Sequence, residues 1–148
     1  MSNDSVYKAV LLDHFHNPRN KGELDAMEMV KRGSNPRCGD EIEVGISCDH
    51  EVLETVRFRG RGCSICLASA SMMTECAGGL KIVQARQLVN ELQQWFSNND
   101  EEEAPHENLA ALGSLRQHPA RKKCVLLAWQ ALAETLDEIE QHNQTNHP

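Results

Sequence analysis

The hydrophobic pattern of this sequence changes its period near Gly62, and this change limits the fold more than any other feature. In residues 42–48 and 52–58 apolar side chains alternate with polar ones, which is the pattern of half-buried strands. After Gly62 apolar residues recur at every third or fourth position, as they do in amphipathic helices. The sequence therefore predicts an α+β fold in which a small antiparallel sheet packs against several helices.

Turn formers and helix-capping residues divide this pattern into elements. Asp49-His50-Glu51 separates the two strands, so they are predicted to form a hairpin. Gly78-Gly79 ends the helix that follows, and Pro119 suits the first turn of the last helix. The other predicted elements are a first helix from Ser5, a short strand near Met27 and Met29, a helix through residues 82–96, an acidic loop at residues 97–105 and a short turn near residues 109–113.

The size and charge of the chain exclude several classes of protein. Its 148 residues predict a single domain, 1–148, with a frayed polar tail at 141–148. The net charge of −7 argues against a nucleic acid or an anionic membrane as the main partner. The longest run of aliphatic and aromatic side chains, at 125–129, is far shorter than the ~20 residues that span a bilayer. The first five residues do not resemble a signal peptide, so we expect a cytoplasmic protein.

Six cysteines are the residues best suited to carry chemistry. Thiols stay reduced in the cytoplasm, where a cysteine cluster is more often a metal site or a reactive centre than a set of disulfides. Cys48 and Cys76 occupy apolar positions of periodic segments and are expected to pack in the core. Cys38 lies in a turn-rich loop and Cys63 between a strand and a helix, so neither suits a core. Cys124, on the inner face of the last helix, fits either a core thiol or a ligand.

Three of these thiols form a candidate metal site if folding brings them together. Asp40, two residues after Cys38, offers a fourth ligand beside Cys63 and Cys124. Thiolates with one carboxylate suit zinc, and the same thiolates suit iron–sulfur chemistry. The histidines lack converging partners and are expected at the surface or at helix caps; those considered are His14, His16, His142 and His147.

Cys66 has no single interpretation. With Cys63 it forms a C-x-x-C pair at a helix start, which is typical of redox sites and of half of a zinc site. The sequence has no second C-x-x-C pair to complete a zinc ribbon, and no βαβ pattern surrounds this one. Neither specific interpretation is favoured.

Three segments together resemble the signatures of the IscU/NifU amino-terminal family. They are Asn35-Pro36-Arg37-Cys38-Gly39-Asp40, then Gly60-Arg61-Gly62-Cys63-Ser64-Ile65 running into Ala68-Ser69-Ala70-Ser71-Met72-Met73, and Pro119-Ala120-Arg121-Lys122-Lys123-Cys124. The opening Leu12-Asp13-His14-Phe15-His16-Asn17-Pro18-Arg19-Asn20 is similar too, and the resemblance spans residues 7–133. It implies a small α+β sandwich that assembles iron–sulfur clusters with sulfur from a pyridoxal-phosphate-dependent cysteine desulfurase. It also implies Cys38, Asp40, Cys63 and Cys124 as the metal site.

Further details resemble the SufU branch of this family more than the IscU scaffolds. IscU scaffolds carry a histidine immediately before the last cysteine and a Leu-Pro-Pro-Val-Lys chaperone motif nearby. In this sequence Lys123 precedes the last cysteine, and His118-Pro119-Ala120-Arg121 occupies the place of the chaperone motif. Residues 97–115 resemble the insertion typical of SufU-type proteins, which look like zinc-dependent sulfur carriers. Cys66 departs from the SufU pattern and adds a thiol beside the site.

The resemblance implies a SufU-type, zinc-dependent acceptor and carrier of persulfide sulfur. The donor would be a SufS-type desulfurase, and the recipients would be downstream iron–sulfur assembly proteins or apo-proteins. Cys38 is the predicted acceptor, and Arg121 is predicted to steer the persulfide or to pair with Asp40. Two alternatives stay open: a scaffold that builds a [2Fe–2S] cluster on the same four residues, and a structural zinc module that only binds a partner. The sequence leaves open whether a sulfurtransferase-like activity makes the chain an enzyme, and what its oligomeric state is.

Overall fold

Both alternating runs are strands of one antiparallel sheet, which confirms the predicted α+β class. The structure is a computed structural model that describes residues 4–98 and 102–145. Its elements in chain order are α1 (Asp4–His16), β1 (Met29–Asn35), β2 (Asp40–Asp49), β3 (Val52–Arg61), α2 (Ser64–Ala77), α3 (Ile82–Ser97), a 3₁₀ helix (Glu107–Leu115) and α4 (Pro119–Thr145).

The sheet is built around the predicted hairpin. Within the described residues it has three strands in the order β1-β2-β3, with antiparallel pairing throughout. The register places Val44 opposite Phe58 and Ile46 opposite Val56, and all four side chains are buried. One face of the hairpin therefore supplies the sheet's share of the core.

The third strand and a β-bulge differ from the simple alternating pattern. β1 begins at Met29, as the short strand near Met27 and Met29 predicted, but continues to Asn35. The register of β2 and β3 shifts at Ser47 and Cys48, so the alternation stops there. For this reason Cys48 is only half-buried and packs against the core rather than within it.

The helices pack on the sheet and on one another. α4 lies against β1 and β2, and α2 packs between α4 and α1. Because α2 is surrounded in this way, its buried residues are not confined to the predicted stripe and include Ser69, which is fully buried. The Ser69 hydroxyl donates a hydrogen bond to the carbonyl of Val125 (2.7 Å) and accepts one from the indole N–H of Trp129 (3.0 Å). These two bonds satisfy a polar group that would otherwise be costly to bury.

Two apolar residues of the predicted helices lie on the surface, although the helical pattern of the sequence places them with the core residues. Val83 is 69% exposed, because it follows the buried Ile82 by one helical position and so points away from the core. Ala120 is exposed in the first turn of α4. Within the described residues, no helix combines the length and the apolar character that crossing a membrane requires.

Two predicted segments are only partly described. In the predicted acidic loop at 97–105, residues 99–101 lie outside the described residues, and a 3₁₀ helix, Glu107–Leu115, covers the predicted turn at 109–113. α4 runs to Thr145, into the segment 141–148 predicted as a frayed tail, and residues 146–148 lie outside the described ones.

Candidate metal centre

Cys38 lies at the tip of the tight turn that joins β1 to β2. The N–H of Cys38 donates to the carbonyl of Asn35 (3.1 Å), which closes the turn. Gly39 has a φ of +69°, a left-handed conformation that glycine adopts without strain. The turn leaves Cys38 exposed, as expected for a thiol that does not serve the core.

Asp40, the first residue of β2, turns inward and is fully buried. Its Oδ1 accepts a hydrogen bond from the backbone N–H of Cys63 (2.9 Å). Its Oδ2 is buried and has no hydrogen-bond partner. A buried carboxylate oxygen without a partner is costly, so this atom fits a site that receives a cation.

Cys124 closes the site from the side of α4. The Sγ atoms of Cys38 and Cys124 and a carboxylate oxygen of Asp40 all lie within 4.8 Å of one another. Cys124 is buried, and burial is the first cause that raises the pKa of its thiol above the ordinary value. The neighbouring Cys63 and then Asp40 raise this pKa further. In the absence of a cation this environment opposes a thiolate at Cys124.

Cys63, the fourth predicted ligand, lies beside these three rather than within the same 4.8 Å group. It is the N-cap residue of α2, and its Sγ accepts a hydrogen bond from the backbone N–H of Cys66 (3.4 Å). The amino-terminal end of a helix stabilises a thiolate, because free N–H groups and the helix dipole both favour negative charge there. The bond of its amide to Asp40 and the influence of its thiol on the pKa of Cys124 place Cys63 at the edge of the cluster.

The donor set fits zinc. Cysteine sulfur and carboxylate oxygen are both zinc ligands, and a set of three thiolates and one carboxylate has the four donors that zinc prefers. The buried, unpartnered Oδ2 of Asp40 is the observation that supports a cation in this place. Cys38, Asp40, Cys63 and Cys124 are the residues that would hold it.

Cys66 is buried next to the site but is not part of the group of donor atoms. Burial raises the pKa of its thiol to about 12, and the charges of Asp40, Cys63 and Cys38 raise it in the same direction. Cys76 is also buried, and burial raises its pKa to about 12. Burial, followed by the charge of Glu28, raises the pKa of the half-buried Cys48 to about 11.

Two features of the site were not predicted from the sequence. Gly62 packs against Asp40, and a β-carbon on residue 62 would lie 2.7 Å from Oδ1. A surface recess of about 250 Å³ opens beside Cys38 and includes the cationic residues Arg37 and Lys123. The two glycines around Arg61 are a sequence signal for close backbone approach, but the group they approach is distant in sequence.

Arg121 is exposed and lines a different recess, of about 470 Å³, together with Lys8, Ser64 and His118. The hydrogen bond of Asp40 goes to the amide of Cys63, so Arg121 does not pair with Asp40 in this structure.

His14 is buried, so the expectation of a surface or capping histidine is wrong. It lies under α2, where its Nδ1 is 2.8 Å from the hydroxyl of Ser71, a residue 57 positions away that local periodicity does not reveal.

Comparisons with known proteins agree with this fold. The family model of the NifU-like N-terminal domain matches residues 6–146. SufU of Bacillus subtilis strain 168, described as a zinc-dependent sulfurtransferase, is 36% identical over 143 residues, which cover 95% of each chain. IscU of Thermotoga maritima, described as an iron–sulfur cluster assembly scaffold protein, is 31% identical over 134 residues, 90% of this chain and 94% of the relative.

A solved structure gives the same result for the fold. It comes from Fervidobacterium islandicum AW-1, is described as an iron–sulfur cluster assembly scaffold protein for the SUF system, and has a TM-score of 0.80 at 24% identity. The match covers 91% of this chain and 99% of that chain. The chain therefore belongs to the family of the NifU-like N-terminal domain, the IscU/NifU family of iron–sulfur cluster assembly proteins.

Proposed function

We propose that this chain is a SufU-type sulfur carrier that holds zinc and accepts persulfide sulfur from a pyridoxal-phosphate-dependent cysteine desulfurase of the SufS type. It would pass this sulfur to downstream iron–sulfur assembly proteins or apo-proteins in the cytoplasm. The description of the Bacillus subtilis relative as a zinc-dependent sulfurtransferase supports this proposal. Lys123 before Cys124, in place of the histidine of IscU scaffolds, supports it as well.

The observation that carries the proposal is the contrast in exposure among the clustered donors. Asp40 and Cys124 are buried, whereas Cys38 is exposed in a turn within 4.8 Å of both. A thiol that can both hold a metal and meet a partner needs such a position. The recess beside it carries Arg37 and Lys123, whose positive charge favours the approach of an anionic persulfide.

Zinc held at this site would keep the coordinating thiols deprotonated at neutral pH. The thiolate of Cys38 then attacks the terminal sulfur of the desulfurase persulfide, and a bond forms between that sulfur and Sγ of Cys38. The sulfur–sulfur bond of the donor breaks, and the desulfurase cysteine leaves as a thiolate. The transfer needs no oxidant or reductant, because the sulfur keeps its oxidation state when it passes from the desulfurase cysteine to Cys38.

The other residues have distinct roles in this proposal. Asp40 is the single oxygen ligand among sulfurs, and it keeps Cys63 in place through the bond to its amide. Cys63 and Cys124, with Asp40, would hold the metal while Cys38 is engaged with the partner. Arg121 lies on the recess next to Ser64, where it would attract the incoming persulfide rather than hold Asp40.

A cluster scaffold is the second candidate function, and a specific observation supports it. The Thermotoga maritima relative is described as a scaffold protein and is nearly as similar to this chain as the sulfurtransferase is. The same thiolates would hold a [2Fe–2S] cluster as cargo. A common donor set therefore serves both candidates, and an experiment must separate them.

The carrier proposal is tested in an anaerobic reaction of this protein with a SufS-type desulfurase and cysteine. We expect about one zinc per chain by elemental analysis, faster alanine release than with desulfurase alone, and a persulfide on Cys38 in the mass spectrum. The variant Cys38→Ser should accept no persulfide, because a serine hydroxyl cannot hold one. Cys48→Ser, outside the donor group, should behave as the wild type.

Other outcomes assign the chain to one of the alternatives. Unchanged alanine release, together with a stable [2Fe–2S] spectrum after iron reconstitution and transfer to an apo-ferredoxin, would identify a scaffold. Full zinc content without sulfur transfer or cluster formation would identify a structural zinc module.

A further inference from the structure

We infer that Cys63 and Cys66 form a reversible disulfide, and that this bond withdraws Cys63 from the metal site. A small disulfide such as oxidised glutathione is the oxidant. The disulfide itself does not depend on the proposed function. Its consequence for the metal rests on the ligand set proposed above.

The positions of the two residues suit a disulfide. Cys63 is the N-cap of α2 and Cys66 lies three residues later, on the first turn. Helix geometry places Cα atoms three residues apart at about 5 Å, within the range of about 4.4–6.8 Å found in disulfides. The Sγ of Cys63 already lies over this turn, 3.4 Å from the backbone nitrogen of Cys66. The bond therefore requires side-chain rotation but no rearrangement of α2.

The difference in exposure between the two thiols sets the order of the reaction. Cys63 is partly exposed and Cys66 is completely buried, so an external oxidant meets Cys63 first. The thiolate of Cys63 attacks one sulfur of the small disulfide, forms a mixed disulfide and releases one small thiolate.

The second step resolves the mixed disulfide within the protein. Cys66 loses its proton and attacks the sulfur of Cys63, which forms the protein disulfide and releases the second small thiolate. Two electrons pass from the cysteine pair to the small disulfide, and the two released thiolates take up the two protons. The same exchange in reverse, with a reduced dithiol, restores both cysteines.

Oxidation of this pair would act directly on the metal centre. The thiol of Cys63 influences the pKa of Cys124, and the amide of Cys63 is bonded to Asp40, so a disulfide at Cys63 removes a donor from the edge of the cluster. A zinc ion held by four donors would then keep three. We expect weaker zinc retention after oxidation and recovery after reduction.

Two other pairs compete with the proposed pair: Cys38 with Cys124, whose Sγ atoms are within 4.8 Å of each other, and Cys63 with Cys124, whose thiols influence each other. Tryptic peptides separate these possibilities. Cys63 and Cys66 share the peptide 62–81, whereas Cys38 lies in 38–57 and Cys124 in 124–148. A disulfide of the proposed pair stays within peptide 62–81, whereas a bond from Cys124 to Cys38 or to Cys63 joins two peptides.

The test uses the full-length Cys76→Ser variant, in which peptide 62–81 contains only Cys63 and Cys66. The protein is treated anaerobically with oxidised glutathione, as purified and after chelation of metal. We expect the loss of two hydrogen atoms from the peptide 62–81 in both samples. In the sample as purified, a chromogenic chelator should record zinc release at least severalfold faster than without the oxidant.

The matched control is the double variant Cys66→Ser/Cys76→Ser, which keeps every proposed ligand. It should stop at the mixed disulfide, with glutathione retained on Cys63. Peptides 38–57 and 124–148 joined by a disulfide, with 62–81 still reduced, would overturn the inference, and so would a disulfide that joins 62–81 to 124–148. So would equal formation of mixed disulfide in both variants. A purified protein without zinc would instead count against the proposed function, while the chelated sample would still test the disulfide.

Discussion

Gly62 packs directly against the carboxylate of Asp40. An alanine at this position would place its β-carbon 2.7 Å from Oδ1 and 3.2 Å from Cγ of Asp40. Asp40 is fully buried and its Oδ1 is bonded to the Cys63 amide, so the carboxylate can yield only by giving up this bond. We expect Gly62→Ala to lower zinc affinity about 10–100-fold, the usual effect of disturbing a group that orients a ligand. Competition with a chelator of known affinity measures this change.

Gly22→Ala is the matched control for this substitution. A β-carbon at residue 22 meets no atom within 4 Å, and neither Gly22 nor Gly62 has a positive φ. Both variants therefore change the conformational freedom of the unfolded chain in the same way. Equal zinc affinity in the two variants would show that the packing of Gly62 does not position Asp40.

Local sequence features revealed the individual donors but not their arrangement. The turn around Cys38, its separation from the packing stripes and the nearby carboxylate of Asp40 are all visible in a few consecutive residues. The contacts of Gly62 with Asp40 and of His14 with Ser71 join residues that are far apart in the chain. Such contacts depend on how the elements pack, and periodicity within one element does not encode them.

Arg116 fixes the segment after α3 to the end of that helix. Its Nε donates to the carbonyl of Trp95 (2.7 Å), one Nη donates to that of Asn98 (2.8 Å), and its guanidinium lies 4.8 Å from the Trp95 ring centroid. These carbonyls belong to the carboxyl-terminal end of α3, where a cation is favourable. The side chain thus connects the predicted insertion to the core.

We expect Arg116→Ala to destabilise the fold by about 1.5–3 kcal/mol, the range for buried hydrogen bonds to a charged group. Urea unfolding at fixed zinc concentration measures this difference. Arg116→Lys keeps the charge but loses the planar guanidinium with its fixed N–H donors, so its free energy of unfolding should lie between those of the wild type and Arg116→Ala. Arg57→Ala, at an exposed position of β3, should change the free energy of unfolding by less than about 0.5 kcal/mol. If Arg57→Ala were as destabilising as Arg116→Ala, the anchoring role of Arg116 would be wrong.

The elements were predicted well wherever one face meets the core and the other meets solvent. The hairpin of β2 and β3 and the helix α3 are of this kind. For α2 the sequence predicted a single buried face, whereas the helix buries several faces because α1, α4 and β3 surround it. The predicted alternation of buried and exposed residues in β2 extended too far along the strand. A bulge at Ser47 and Cys48 changes the register there, and no glycine or proline at these two positions signals it.

A buried hydrogen-bond network joins α1, the loop after it and α2. The Ser71 hydroxyl lies 2.8 Å from Nδ1 of His14 and accepts a bond from the backbone N–H of Arg19 (2.8 Å). Glu75 lies 4.0 Å from Nε2 of His14 and also faces Arg19. Burial is the largest effect on His14 and lowers the pKa of its imidazole below the ordinary value of 6.5, with the charge of Arg19 acting in the same direction.

This shift makes the stability of the fold depend on pH. The folded protein holds His14 neutral, whereas the unfolded chain takes up a proton near pH 6.5. The stabilisation is therefore complete above pH 6.5 and is lost as the pH falls below it towards the lowered pKa. Because one proton is taken up, the free energy of unfolding falls by at most about 1.4 kcal/mol per pH unit. Each kcal/mol of lost stability lowers the melting temperature by about 2–4 °C. We expect the melting temperature of the metal-free protein to fall between pH 6.5 and pH 5.

His14→Gln separates this effect from all other titrations. Glutamine remains polar opposite Ser71 but takes up no proton, so its melting temperature should vary less between pH 5 and pH 6.5 than that of the wild type. His16→Gln, two residues later on the same helix and exposed, should retain the wild-type slope. Metal-free samples are required because protonation of the thiolate ligands would otherwise release zinc over the same range. Identical slopes in the wild type and His14→Gln would show that the buried network does not carry the acid sensitivity of the fold.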